Sequence, residues 1–263
     1  MTTILAIIFF IFGLIIGSFL NVVIFRLNTQ KSFMSGRSKC LACQKALSWY
    51  ELFPILSFIF LGGRCKGCKT RISWQYPLVE FLTGLVFACL FLKFQDVFYT
   101  STFVFAGTMA YYAGMFSLLI VIAVYDIRHK IIPNALALVF GILAFVGLFL
   151  FSDSVFYPHL PSIWELLSGV FIALPFALLW LLSRGTWMGL GDAKLAIGLG
   201  WLLGLSRALS GIVLAFWSGA VIGLILIAFS KKHSMRSELP LAPFMVLGAV
   251  IAFLFELHLF PIS

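Results

Sequence analysis

Charge is scarce in this chain: only 10% of its 263 residues are charged, nine of them acidic, while 62% are hydrophobic. A soluble domain carries about 25% charged and 45–50% apolar residues, so the balance argues against a soluble globular enzyme. With 30 Phe and 7 Trp the chain is equally unlike a disordered segment, which is polar and poor in aromatics. Histidine is limited to His129, His159, His233 and His258, none in an H-E-x-x-H arrangement, which removes a zincin. There is no G-x-G-x-x-G turn in the strand–helix setting of a nucleotide fold. No basic residue precedes the first apolar run and no small-residue cleavage site follows it, so that run is expected to remain as an anchor. No internal repeat at a fixed period is evident, nor the inverted repeat of many transporters.

What remains is long apolar runs. The first, about Ile4 to Phe25, is enough for a hydrocarbon core of roughly 30 Å at about 1.5 Å per residue. Seven more follow at about 76–94, 102–125, 134–152, 163–183, 188–205, 209–229 and 243–260. The expected fold is therefore an all-α polytopic membrane protein of about eight transmembrane helices. Residues 1–25 form the first helix, 26–75 a small polar module, and 76–263 the remaining membrane domain.

The net charge of +9 leaves nucleic acid nominally open, but sorting the charges by side closes it. With the N-terminus outside, the inner segments hold Arg26, Lys31, Arg37, Lys39, Lys45, Arg64, Lys66, Lys69, Arg71, Arg128, Lys130, Arg184, Lys194, Lys231, Lys232 and Arg236. The outer segments hold Lys93 and Arg207 alone. This is a positive-inside pattern, which places the 26–75 module in the cytoplasm against the bilayer and leaves no role for nucleic acid.

Within that module Cys40 and Cys43, then Cys65 and Cys68, form two C-x2-C pairs separated by 21 residues. Each pair presents two thiolates from one tight turn, and two such turns make a closed tetrahedral S4 site suited to structural zinc. Disulfides are the competing reading, and a reducing cytoplasm disfavours them. Cys89 stands alone in an apolar span and reads as a small buried hydrophobe.

Two of the nine acids occupy unusual places. Asp126 closes the third span and Asp192 opens the sixth, both at the cytoplasmic end on this topology and 66 residues apart. Carboxylates at such depths face a bundle interior and act there. For Asp192 the bland reading is a helix N-cap after Gly189 and Gly191. For Asp126, which the helix macrodipole disfavours, it is a surface salt bridge to Arg128 or Lys130. The functional reading is an aspartyl protease dyad: one ionised carboxylate takes a proton from water while its protonated partner polarises the scissile carbonyl. Gly189 and Gly191 let substrate backbone approach, and Lys194 either tunes the site or snorkels to the interface. Ser218 with His258 offers a weaker serine-protease pairing.

Five blocks carry a resemblance over nearly the whole chain. They are GSFLNVVIFRLN (17–28), RSKCLACQKALSWYELFPILSF (37–58), GGRCKGCKTRISWQYPLVEFLTG (62–84), DIRHKIIPN (126–134) and MGLGDAKLAIGLGWLLG (188–204). In this order they resemble the type IV prepilin peptidase family, bifunctional leader peptidases and N-methyltransferases of the bacterial inner membrane. Leu41 and Asn134 depart from residues frequent in that family, Pro and Asp respectively. The resemblance implies a GxGD-type intramembrane aspartyl protease with Asp126 and Asp192 as its catalytic pair. The implied substrates are prepilin or pseudopilin precursors, cut after a Gly at the cytoplasmic face. The new N-terminal residue, often Phe, would then be methylated with S-adenosylmethionine, for which the sequence itself shows no site. Gly84, in the YPLVEFLTG stretch, matches the part of the family linked to that transfer, as does the segment around Glu51. Glu51 and Glu80 could attract a basic leader or simply pair within the loop. An ion-coupled transporter using the two aspartates as a proton relay, or a catalytically idle assembly factor, are the competing classes.

Overall fold

The computed structural model describes residues 1–29, 32, 36–229 and 239–259; Lys31, Lys231, Lys232, His233 and Arg236 lie outside the described residues. Each of the eight apolar runs is helical. Five of these helices are long and apolar enough to cross a membrane. The other three are shorter than the apolar pattern suggests, and the helix expected over 188–205 spans Leu190–Leu203. At about 1.5 Å per residue, its 14 residues fall short of a hydrocarbon core of about 30 Å.

Residues Met1–Asp96 and Val97–Ser263 form two compact units. The first holds α1 (Thr2–Arg26), a 3-10 turn (Trp49–Leu52), α2 (Leu56–Phe60) and α3 (Gln75–Lys93). α1 and α3 pair antiparallel: Phe9 stacks on Phe91, and Phe25 on Tyr76, each with ring centroids 4.9 Å apart. Between these contacts the backbones nearly touch, because a Cβ on Gly13 would lie 2.7 Å from the Gly84 Cα. Small residues at a crossing permit this approach, where lipid supplies no hydrophobic drive for association. The opposite face of α1, with Ile4, Ile7, Ile8, Ile11 and Ile15 exposed, suits contact with acyl chains.

The second unit is built around α5 (Thr102–His129), whose Met115, Phe116, Leu119 and Ile122 are at most 1% exposed. The short α4 (Gln95–Thr100) leads into it, and the Ser101 hydroxyl accepts the Val104 N–H as a helix cap. Next come α6 (Asn134–Leu150), a hairpin of β1 (Phe151–Ser152) and β2 (Val155–Phe156), and α7 (Ile163–Ser183). α8 (Leu190–Leu203), α9 (Leu205–Phe229) and α10 (Ala242–Leu254) complete the unit. Phe253 of α10 lies against Tyr112 and Phe116 of α5. α8 is held on α7 by polar contacts: Ser168 Oγ donates to the Gly200 carbonyl (2.9 Å) and Trp201 Nε1 to the Leu166 carbonyl (3.0 Å). Such bonds satisfy groups that lipid leaves unpaired.

Candidate active site and metal centre

Asp126 sits in the last turn of α5, four residues before a left-handed cap at Lys130 (φ 53°) whose N–H returns to the Asp126 carbonyl at 2.7 Å. Its side chain is 4% exposed. Oδ2 accepts the Ala242 N–H at 3.3 Å, at the start of α10. Among the described residues the carboxylate makes no ion pair, so the salt bridge to Arg128 or Lys130 is not formed. Burial away from the polar surface explains why: Arg128, in the same last turn, and Lys130, at the cap, are exposed, whereas Asp126 faces the start of α10.

Asp192 is the third residue of α8, and Gly189 is the N-cap. The N-cap reading of Asp192 is thus corrected: the extended backbone at Gly189 (φ −76°, ψ 148°) starts the helix three residues earlier than an aspartate cap would. An acid in the first turn still suits the helix macrodipole. The turn after α5 meets this end of α8 directly. A Cβ on Gly191 would lie 2.9 Å from Ile132 Cβ, so any larger residue would push the two segments apart. Lys194 Nζ donates to Asn134 Oδ1 at 2.7 Å, fastening α8 to the first residue of α6. That contact gives Lys194 a tethering role. These clamps hold the chain just after Asp126 against the first turn of α8, which carries Asp192.

Ser218 and His258 do not pair. Ser218 Oγ donates to the Ala215 carbonyl, and His258 lies beyond α10, with Nδ1 3.2 Å from Ser206 Oγ. Cys89 is half-buried rather than buried.

In the polar module the sulfurs of Cys40, Cys43, Cys65 and Cys68 all lie within 4.8 Å of one another. Cys40 and Cys68 are 3.8 Å apart, and a tetrahedron with Zn–S bonds of about 2.3 Å has edges of about 3.8 Å. The donor set therefore fits a metal of that size. The two turns are built alike. Cys40 N–H donates to the Lys45 carbonyl and Gln44 N–H to the Cys40 carbonyl; 25 residues later Cys65 pairs with Thr70, and Lys69 with Cys65. Gln44 and Lys69 share φ near 58° (57° and 59°), and bridges join Lys39 to Ala46 and Arg64 to Arg71.

An internal repeat is therefore present after all. Its sequence signal is the pair of Ser-Trp steps, Ser48-Trp49 and Ser73-Trp74, each eight residues after the first cysteine of its pair. Identity is confined to these and the cysteines, too sparse to see without the shared hydrogen bonds.

Charge in this cluster is unevenly held. The Thr70 hydroxyl, 3.2 Å from the Cys68 sulfur, leads the interactions that hold that thiol down to about 6. At Cys43 the Lys45 N–H favours the thiolate, but desolvation and the three neighbouring sulfurs outweigh it and push the thiol up to about 11. A cation at the centre relieves that mutual repulsion. Thr70→Val should lower metal affinity about tenfold, the usual scale for an outer partner of a ligand, as read by competition with a chromophoric chelator.

Gly84 lies in the α1–α3 crossing, where an added Cβ would meet Leu14 Cδ2 at 2.9 Å and the Phe10 carbonyl oxygen at 3.0 Å. Glu51 and Glu80 both make local bonds. Glu51 closes a capping box with Ser48, its Oε2 accepting the Ser48 N–H at 2.8 Å. Glu80 Oε2 accepts the Ile55 N–H, also at 2.8 Å.

These features define a polytopic α-helical membrane protein with a four-cysteine module and two aspartates at helix ends joined by a close-packed turn. Residues 11–94 match the Bacterial Peptidase A24 N-terminal domain, and residues 113–227 match the Type IV leader peptidase family. A Bacillus subtilis protein named prepilin leader peptidase/N-methyltransferase is 33% identical over 94% of this chain and 93% of its own length. A Myxococcus xanthus protein of the same name is 35% identical over 89% of this chain, which spans 66% of that protein. One from Aeromonas salmonicida is 29% identical over 93% of this chain and 89% of its own length. The chain belongs to the type IV leader peptidase family. No solved structure matches it.

Proposed function

We propose that the chain is a membrane aspartyl endopeptidase that removes the leader from prepilin or pseudopilin precursors and N-methylates the new N-terminal residue. The observation that carries the proteolytic half is the joint between their helices: Asp126, buried with no cationic partner among the described residues, ends the helix whose following turn packs on the first turn of α8, where Asp192 sits. Two carboxylates so placed share a proton, and the pair rather than either residue acts as acid and base. The ionised member takes a proton from water, the water oxygen attacks the scissile carbonyl, and the protonated member donates to the carbonyl oxygen. Gly189, where an added Cβ would meet only Asp192 Oδ2 and the Gly191 nitrogen at ordinary distances of 3.8 and 3.9 Å, leaves room for an extended substrate backbone, while Gly191 is taken up by packing on Ile132.

Zinc held by Cys40, Cys43, Cys65 and Cys68 is a structural ion on this reading, since four thiolates leave no open position for chemistry. The methyl donor is S-adenosylmethionine, as the relatives' name suggests. Among the described residues the strands are only β1 and β2, two residues each, so no nucleotide-fold pocket holds it. We place methyl transfer in the first unit, where Gly84 lies. Residues 1–25 are then the anchor, 26–75 the metal module and 76–263 the peptidase portion. The N-terminus lies outside and the module in the cytoplasm of a bacterial inner membrane, by the charge asymmetry. A proton-relay transporter has no support among the relatives, and the one repeat lies in the cysteine module.

The test is to incubate the purified protein in detergent with a precursor bearing a short basic leader. Mass spectrometry should find a cut after the leader's terminal Gly and one methyl group on the new N-terminus. An intact precursor would overturn the proposal.

A further inference from the structure

The seam between α1 and α3 contains a buried acceptor without a donor and a buried carboxylate without a cation among the described residues. Asn21 is 1% exposed, and its Nδ2 donates to the carbonyls of Gly17 (3.3 Å) and Tyr76 (3.1 Å). Two carbonyl partners fix which end is nitrogen, and Oδ1 is left buried without a donor among the described residues. One helical turn along α3 from Tyr76, Glu80 is 7% exposed. Its carboxylate accepts the Ile55 N–H at 2.8 Å, and no lysine, arginine or histidine among the described residues pairs with it. A buried carboxylate without a cation is costly, and a buried acceptor left open carries a similar, smaller penalty.

We propose that this seam is a binding site for a primary ammonium, and that its occupant is the new N-terminus of the processed substrate. An ammonium brings the missing positive charge and three N–H donors. A divalent metal fits less well, because calcium or magnesium needs about six oxygens and the seam offers far fewer. The occupant follows from the proposed function, on which this inference rests: leader cleavage turns an amide into a free amine at the head of an apolar segment, and that amine must be held to be methylated. Residues around the site, including the stacked Phe25 and Tyr76, suit an apolar chain.

The entry route is built into the module. Ile55, a β-branched residue, is held at φ 59°, ψ −50°, with the Leu56 N–H turned back to the Pro54 carbonyl at 2.5 Å. This is a γ-turn of the rare, strained hand. Its N–H is the donor now resting on Glu80. An ammonium competing for that carboxylate lets the turn relax, so binding and release of the turn go together.

The experiment uses the full-length protein in detergent. Two synthetic peptides of about 20 apolar residues begin with Phe, one with a free N-terminus and one N-acetylated. The wild type should bind the free amine about tenfold or more tightly than the acetylated form, and Glu80→Gln should bring the two within about twofold, as expected when one member of a buried charge pair is neutralised. Because the readout is a ratio, a general loss of fold lowers both affinities without mimicking the result. If Glu80→Gln binds neither peptide, the same ratio in Asn21→Ala decides. No preference in the wild type, or a full preference in the variants, overturns the site. Cleavage and methylation of an intact precursor are measured on the same wild-type sample. Normal processing with an unaltered ratio in the variants sinks this inference alone, while absence of cleavage sinks the proposed function and the occupant with it.

Discussion

Asp126→Asn and Asp192→Asn should each lower leader cleavage by about 10²–10⁴-fold, the range expected when a positioned acid or base is removed. The double variant should be no slower than the worse single one, because residues acting as a unit do not contribute additively. Asparagine keeps the shape of the site. At Asp126 its carbonyl can still accept the Ala242 N–H that Oδ2 now accepts at 3.3 Å, so the start of α10 remains anchored. What is lost is one shared proton and one negative charge. The expected failure is therefore in kcat, with precursor binding retained. Single-turnover cleavage of a labelled precursor measures it. Either single variant cutting at the wild-type rate would show that the dyad is not the catalytic pair.

The helices were legible because hydropathy alone decides them: runs such as Ile4–Phe25 have no competing structure in a membrane. The four cysteines were legible because their spacing is itself geometric information. Other parts were hidden for physical reasons. The start of α8 depends on where the chain turns extended, at Gly189, and Asp192 in its first turn looks like a cap when only residue types are seen. The donor on Asp126 is a backbone N–H 116 residues away, which no side-chain pattern announces. Lys194 is fastened to Asn134, a position that sequence marks only as a departure from the family. The 25-residue repeat of the cysteine turns lives in backbone hydrogen bonds more than in side chains. The strain at Ile55 (φ 59°) is invisible in a residue whose type predicts the opposite.

Removing the metal should unfold the module outright. Across residues 36–74 the only buried residues are Glu51 and Cys65, so there is no apolar core to survive on its own. Trp49, Ile59, Phe60 and Trp74 are all more than 60% exposed. A segment of this size without a core depends on its staples, and binding of structural zinc supplies about 10–16 kcal/mol in comparable peptides. The two cysteine turns are held to each other through the sulfurs, so loss of one ligand affects both. Cys65→Ser, at the one buried ligand, should reduce the bound metal from about one ion per chain to a small fraction of that. It should also open residues 36–74 to protease while leaving the α1–α3 pairing intact. Methylation of the processed N-terminus should fall with it, since the module and the α1–α3 crossing that holds Gly84 belong to one compact unit. Elemental analysis, limited proteolysis and product mass spectrometry on one preparation check all three results. Metal-free protein with intact thiols, a protease-resistant module and full methylation would contradict a structural role for the four cysteines.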